Sequence, residues 1–121
     1  MTNIVRVTQE MVENEIVAVD YFTASQAVAG ACFTSLLLGG GDFNDEAIME
    51  RTEEKYNEVQ EALDVLTICV VTVKNGFTFV GTSAPVDHNA FDAQKGREIA
   101  RERAVEQIWK FLAFRIADSM S

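Results

Sequence analysis

One local feature constrains this chain more than any other. A β-branched, apolar run, Val65 to Lys74, is followed by Asn75-Gly76 and then by a second run, Phe77 to Thr82. Asn-Gly between two such runs signals a β-hairpin closed by a two-residue type I′ turn. In that register Thr72 faces Phe79 and Lys74 faces Phe77, while Val71 faces Val80 on the opposite side. Both faces then carry apolar residues, and both need cover. Two strands alone are marginally stable. Ile4-Val5-Arg6-Val7 is the candidate for a third strand, in cis or from another subunit, and the demand for cover predicts a homo-oligomer.

Helical segments surround the hairpin. Thr8 is a plausible N-cap for a short helix whose partly apolar face is Met11/Val12, Glu15/Ile16 and Val19. Tyr21-Phe22-Thr23 follows, and Thr23 or Ser25 can cap a second segment, Ala24 to Leu38. Small residues crowd that segment (Ala27, Ala29, Gly30, Ala31, Cys32), which predicts burial against another helix or a second subunit. Gly39-Gly40-Gly41 ends it as a flexible cap. A long acidic helix is expected from Asp42–Asp45 to about Leu63, with Ile48, Tyr56, Val59 and Leu63 as a narrow apolar stripe. After a loop from Ser83 to Phe91, Asp92 caps a final helix from about Ala93 to Ala117. Its buried stripe is Gly96, Ile99/Ala100, Ala104, Ile108, Phe111/Leu112 and Ile116. The expected class is α+β: a hairpin or small antiparallel sheet, a long C-terminal helix and further helices, in one ligand-binding domain spanning 1–121.

The 121 residues include 48% hydrophobic ones, enough for a modest core. The net charge of −9 argues against duplex nucleic acid as a partner, because phosphate-backbone binders are normally basic. The charge is uneven. Residues 1–73 carry three Lys/Arg against thirteen carboxylates, whereas residues 74–121 carry seven against six. An anionic ligand should therefore be small and should bind the C-terminal third. Cys32 and Cys69 sit in apolar runs, in no CxxC or metal-ligand pattern, and read as buried free thiols of a reducing cytoplasm. The longest apolar-rich run, Ala27 to Leu38, is too short to span a bilayer, and no signal-peptide pattern opens the chain. A soluble protein of the host cytoplasm, without a membrane partner, is expected.

Candidate site residues concentrate near the end of the chain. Arg97 and Arg101 are four apart, as are Glu98, Glu102 and Glu106. Like charges at that spacing repel by about 0.2–0.5 kcal/mol per pair. The basic column therefore meets an anion, the acidic helix or a symmetry mate. Arginine suits phosphate because its planar fork donates two parallel hydrogen bonds. Phe77 and Phe79 share a strand face and are either core or a stacking platform for a base. Asn89 is either a turn residue or a reader of an adenine-like edge. His88 is the only histidine, so a nucleophilic site would have to centre on it, and no motif supports one. No Walker loop or GxGxxG occurs. The expectation is a binding protein, not an enzyme, with no cofactor or metal.

The segment Val73-Lys74-Asn75-Gly76-Phe77 through Val80-Gly81-Thr82-Ser83-Ala84, then Phe91-Asp92-Ala93-Gln94-Lys95-Gly96-Arg97-Glu98-Ile99-Ala100 and on to Ile108-Trp109, resembles a family of small bacteriophage proteins. Its pattern is a "KNGF…VGxSA" hairpin, "FDxxxGRxIA", then "A…xIW". Val7-Thr8-Gln9-Glu10 and Val19-Asp20-Tyr21-Phe22 are similar as well. Pro85, where the family often has cysteine, and Ala90, where asparagine is frequent, depart from it. A subset of that family, the Thoeris anti-defence one proteins, is of similar length. That resemblance implies a homodimer or higher homo-oligomer that sequesters glycocyclic ADP-ribose signals without cleaving them. It also implies a separate inter-subunit site for cyclic di- or trinucleotides. On this chain it puts Phe79 and Asn89 on the base and Arg97, Arg101, Arg103, Lys74 and Arg115 on the phosphates. The rival readings are a phage structural or assembly protein, in which these residues pack a dimer, and a hydrolase of the same signals centred on His88.

Overall fold

A computed structural model describes residues 6–38 and 53–120. It has an α+β architecture: a three-stranded antiparallel sheet and, among the described residues, four α-helices including a long C-terminal one. In chain order the elements are α1 (Gln9–Glu15), β1 (Ile16–Thr23), α2 (Ala24–Leu38), α3 (Glu53–Asp64), β2 (Thr67–Val73), β3 (Thr78–Ser83) and α4 (Ala93–Met120). The sheet order is β1-β2-β3.

Thr8 caps α1, its hydroxyl accepting the Met11 amide at 3.2 Å. The helix then stops at Glu15, before Val19. The run Ile16-Val17-Ala18-Val19-Asp20-Tyr21-Phe22-Thr23 is rich in β-branched and aromatic residues and forms the third strand. The helical reading through Ile16 and Val19 is corrected here: sheet pairing along β2 overrides a helix stripe with few apolar positions. Of the segment proposed for that strand, Ile4 and Val5 lie outside the described residues, and Arg6 and Val7 belong to no element. Thr23 then starts α2 with a capping box. Its hydroxyl accepts the Gln26 amide at 3.3 Å, and its own N–H donates to Gln26 Oε1 at 2.9 Å. Helices α2 and α3 pack on each other. The Gly39–Gly41 cap and the expected start of the acidic helix lie outside the described residues.

The hairpin forms, but with a different turn. The Gly76 N–H donates to Val73 O at 2.9 Å and the Val73 N–H to Phe77 O at 3.0 Å. Gly76 has φ +88°, and no other described residue except glycine has positive φ. A type I′ turn needs positive φ at both central residues, and Asn75 does not adopt it. The chain uses a three-residue loop, Lys74-Asn75-Gly76, with Gly76 in the left-handed position, and Asn75 Oδ1 accepts the Phe77 amide. The register therefore slips by one: Val71 pairs with Phe79, Thr72 with Thr78 and Val70 with Val80. A one-residue slip moves every side chain to the other face. Phe79 thus shares a face with Cys69, Val71 and Val73, the buried row of β2.

That face is covered by α4. Asp92 Oδ1 caps it, accepting the Gln94 and Lys95 amides at 3.1 and 3.2 Å. Ala100, Ala104, Ile108 and Leu112 recur every four residues and are buried, as the periodicity predicts. They form one core with Val12, Cys69, Val71 and Val73. The helix sits unusually close where it crosses β3. A Cβ added at Gly81 would collide with the Ala100 carbonyl and stand 2.6 Å from the Ala104 amide nitrogen. A Cβ at Gly96 would come 2.8 Å from Thr67 Oγ1. Two backbones meet at Gly81, so neither can yield by a rotamer change. Gly81→Ala is expected to lower the unfolding free energy by about 2–3 kcal/mol, the upper part of the overpacking range. Urea unfolding would show it as a lower midpoint with unchanged slope.

Candidate functional site

The placement of the basic side chains follows from the helix period. With Ala100, Ala104 and Ile108 facing the sheet, positions 97 and 101 fall on one flank of α4 and 103 and 107 on the other. The first flank overlooks β1 and the second overlooks β3.

On the β3 side, Arg103 Nη1 donates to Thr82 O at 2.6 Å and Gln107 Nε2 to Val80 O at 2.6 Å. These side chains cover the outward carbonyls of an edge strand. On the β1 side, Arg101 donates to both carboxylate oxygens of Glu13, at 3.0 and 3.1 Å, and so fastens α1 to α4. The Glu13 hydrogen bonds raise the Arg101 pKa further, against the effect of burial. At Arg101 the basic column thus meets α1. Arg97, one turn earlier, has no ion pair or hydrogen bond among the described residues.

Arg97 lines a groove of about 480 Å³ between β1 and the start of α4, with Tyr21, Thr23, Gln26, Thr67 and Phe91 among its walls. The Thr67 side chain is buried, and its hydroxyl has no partner among the described residues. The groove combines an uncommitted guanidinium, two aromatic rings, hydroxyls and a side-chain amide. Such a set can receive an anion attached to a planar ring. Asp20 also borders it and limits how much negative charge it tolerates.

The remaining candidates lie elsewhere. Phe79 packs on Phe111, with ring centroids 5.5 Å apart, and Phe77 meets the same ring edge-on at 5.6 Å. The Arg115 guanidinium stands over Phe111 at 5.7 Å and pairs with Glu15 at 3.0 Å. The Lys74 side chain is exposed beside them, and its backbone N–H donates to Glu15 O. Asn89 lies beyond the other end of β3, in a 3₁₀ turn (His88–Ala90) where Asp87 Oδ1 accepts its amide. The hollow beside it is bordered by Glu61, Asp64 and Asp87, which disfavours a phosphate there. Phe79 meets α4 at Phe111, 18 residues along from Ala93, or about 27 Å at 1.5 Å per residue. Phe79, Asn89 and the arginines are therefore not gathered into one corner within a single chain. Tyr21, Thr67, Gln26 and Phe91, which sequence reasoning did not select, are the ones found with Arg97. Alternation along β1 was the signal for Tyr21.

No group of histidine, cysteine and carboxylate side chains among the described residues can hold a metal ion. None of the helices is long and apolar enough to cross a membrane, among the described residues.

A small sheet crossed by one long helix, with a cation-bearing groove at its β1 side, defines a small α+β protein with a candidate anion-binding groove. The chain matches the Phage protein (N4 Gp49/phage Sf6 gene 66) family over residues 7–120, and it belongs to that family. No curated protein and no solved structure matches it.

Two acids next to the groove titrate late. Burial raises the Cys69 pKa above its ordinary 9.0, Asp20 adding to it and Arg101 opposing. Burial likewise raises Tyr21 above 10.0, with Cys69 adding and Arg101 and Arg97 opposing. Above about pH 9 the unfolded chain releases protons that the folded chain keeps, so stability falls as pH rises. Urea unfolding between pH 8 and 10.5 should show that fall, and Cys69→Val should flatten part of it.

Proposed function

We propose that this protein binds and sequesters a small pyrophosphate-bearing nucleotide signal of the cyclic ADP-ribose type, without cleaving it, as a phage anti-defence protein. The observation that carries the reading is Arg97: a guanidinium with no ion pair or hydrogen bond among the described residues, in a groove walled by Tyr21 and Phe91. Arg101, Arg103 and Arg115 are committed to Glu13, Thr82 O and Glu15, so Arg97 is the phosphate ligand of choice. The nucleotide class comes from the resemblance to the Thoeris anti-defence one proteins. Binding is favoured over turnover because burial raises the Cys69 pKa and no histidine lines the groove to activate its hydroxyls.

In this reading the protein acts as a homo-oligomer. Helix α2 has no charged residue in fifteen positions, and Phe33 and Leu37 are 63% and 67% exposed on it. A helix of that composition calls for cover. In a chain of net charge −9 an uncharged face is also where like copies approach at least electrostatic cost. A base site using both Phe79 and Asn89 takes them from different copies, because they lie at opposite ends of one. The same exposed α2 face favours the second reading, a phage assembly protein whose partner is proteinaceous.

Calorimetric titration with glycocyclic ADP-ribose isomers, against NAD and ADP-ribose, separates the two. Tight binding of one isomer, recovered intact after heat denaturation, supports sequestration; an altered ligand indicates turnover. Arg97→Gln removes no ion pair or hydrogen bond among the described residues, so it should leave the unfolding midpoint at neutral pH nearly unchanged and weaken binding about 10- to 100-fold, the loss of one charge-assisted pair. No heat with any isomer favours the assembly reading.

A further inference from the structure

The last pair of the β2–β3 ladder is Thr67↔Ser83. Both side chains turn to the α4 face of the sheet, and both are buried, Thr67 at 3% and Ser83 at 8% exposure. Neither hydroxyl has a hydrogen bond among the described residues. Thr67 lines the Arg97 groove, whereas Ser83 lines a different hollow. That hollow of about 220 Å³ lies between the end of β3, the loop that follows it and the first turns of α4. It shares one wall with the groove, Phe91. A buried hydroxyl without a partner is a cost to the fold that alanine would avoid. A ligand that bonds the hydroxyl removes that cost.

We propose that the Ser83 hollow is a second binding site, for an uncharged single-ring ligand of the aromatic carboxamide class. Size sets the single ring. Pockets for drug-sized ligands run to roughly 300–1,000 Å³, so this one is too small for a whole nucleotide. Val65, Pro85, Phe91 and Ile99 make its walls apolar, and the Phe91 ring offers a face on which a planar ligand stacks. The Ser83 hydroxyl can donate and accept, and a carboxamide edge does both.

Charge sets the neutrality. The Lys95 ammonium and the Asp92 carboxylate both line the hollow and offset each other. Asp92 Oδ1 is already held by the Gln94 and Lys95 amides. Val65 also borders the hollow that Glu61, Asp64 and Asp87 surround, which counts against an anion on this side of the molecule. A cation would meet Lys95. The proposal stands apart from the nucleotide reading, because it uses neither Arg97 nor Tyr21.

An NMR titration of the full chain with benzamide, benzoate and benzylamine tests it. Benzamide should bind saturably and shift the Ser83, Ala84 and Ile99 amides more than those of Tyr21 and Thr23. Benzoate and benzylamine should bind about tenfold more weakly, because each takes a charge into an apolar hollow. Ser83→Ala should weaken benzamide about 3- to 10-fold, the loss of one neutral hydrogen bond. Its urea midpoint should stay level or rise, since no hydrogen bond among the described residues is lost. Ala90→Leu, an exposed residue at the rim, should plug the hollow and abolish binding with the circular dichroism unchanged. The proposal is overturned by the absence of saturable shifts, by shifts centred on Tyr21, or by benzoate binding more tightly than benzamide. Unchanged affinity in Ser83→Ala overturns it too, and so does a lowered urea midpoint, which would make the hydroxyl a group the fold needs. Failure of the nucleotide titration leaves each of these results untouched.

Discussion

The contact on which the rest depends is backbone against backbone, where Gly81 of β3 meets Ala100 and Ala104 of α4. Side chains of ordinary size would hold a helix about 10 Å off a sheet. Glycine opposite alanine draws this one in and leaves its azimuth little freedom. Larger residues, Ile108 and Leu112, take over further along, where Val71, Val73 and Val12 complete the core. Once that azimuth is fixed, the flanks of α4 are fixed as well. Arg97 and Arg101 must overlook β1, and Arg103 and Gln107 must reach β3. The chemistry of both sheet edges is thus a consequence of one close approach.

The same contact explains the repeated motif. In Val80-Gly81-Thr82-Ser83 and Phe91-Asp92…Gly96-Arg97…Ala100, most positions answer to packing. Gly81 admits the helix, Gly96 clears Thr67, Ala100 meets Gly81, and Asp92 caps the first turn. Phe91 and Arg97 do none of this, and both face the groove. A motif that looks like a single signature is thus two interleaved sets, one holding the helix down and one lining a cavity.

Elements with strong local signals were legible. Helix α2 begins and ends where its cap and composition place it, and α4 starts at its Asp92 cap with the buried stripe that the period requires. The class, α+β with an antiparallel sheet and a long final helix, was legible too. The turn was not, because Asn-Gly is compatible with two loop lengths and only the backbone decides whether Asn75 goes to positive φ. That one-residue difference turned Phe79 toward Phe111 and the core. The third strand was misread because residues 11–19 carry a sparse helical stripe and residues 16–23 a period of two, and the two overlap at Ile16 and Val19. The arginines stood out as a set by their spacing. Which of them is spoken for depends on Glu13, Glu15 and the Thr82 carbonyl, all distant in sequence.

That distribution of partners carries the functional weight. A like-charged i,i+4 column costs a few tenths of a kcal/mol in an isolated helix, and a distant carboxylate can offset it. At Arg101 it does: Glu13 accepts two hydrogen bonds and joins α1 to α4. At Arg97 no carboxylate among the described residues does. Arg97 stands beside Arg101, next to a tyrosine whose pKa burial raises and a threonine whose buried hydroxyl has no partner among the described residues. Each of these groups alone has an ordinary explanation as surface or core. They coincide on one side of α4, while on the other side Arg103 and Gln107 donate to strand carbonyls. A guanidinium with no ion pair or hydrogen bond among the described residues, set in a groove with two rings and a side-chain amide, is the arrangement expected of a site that a ligand completes.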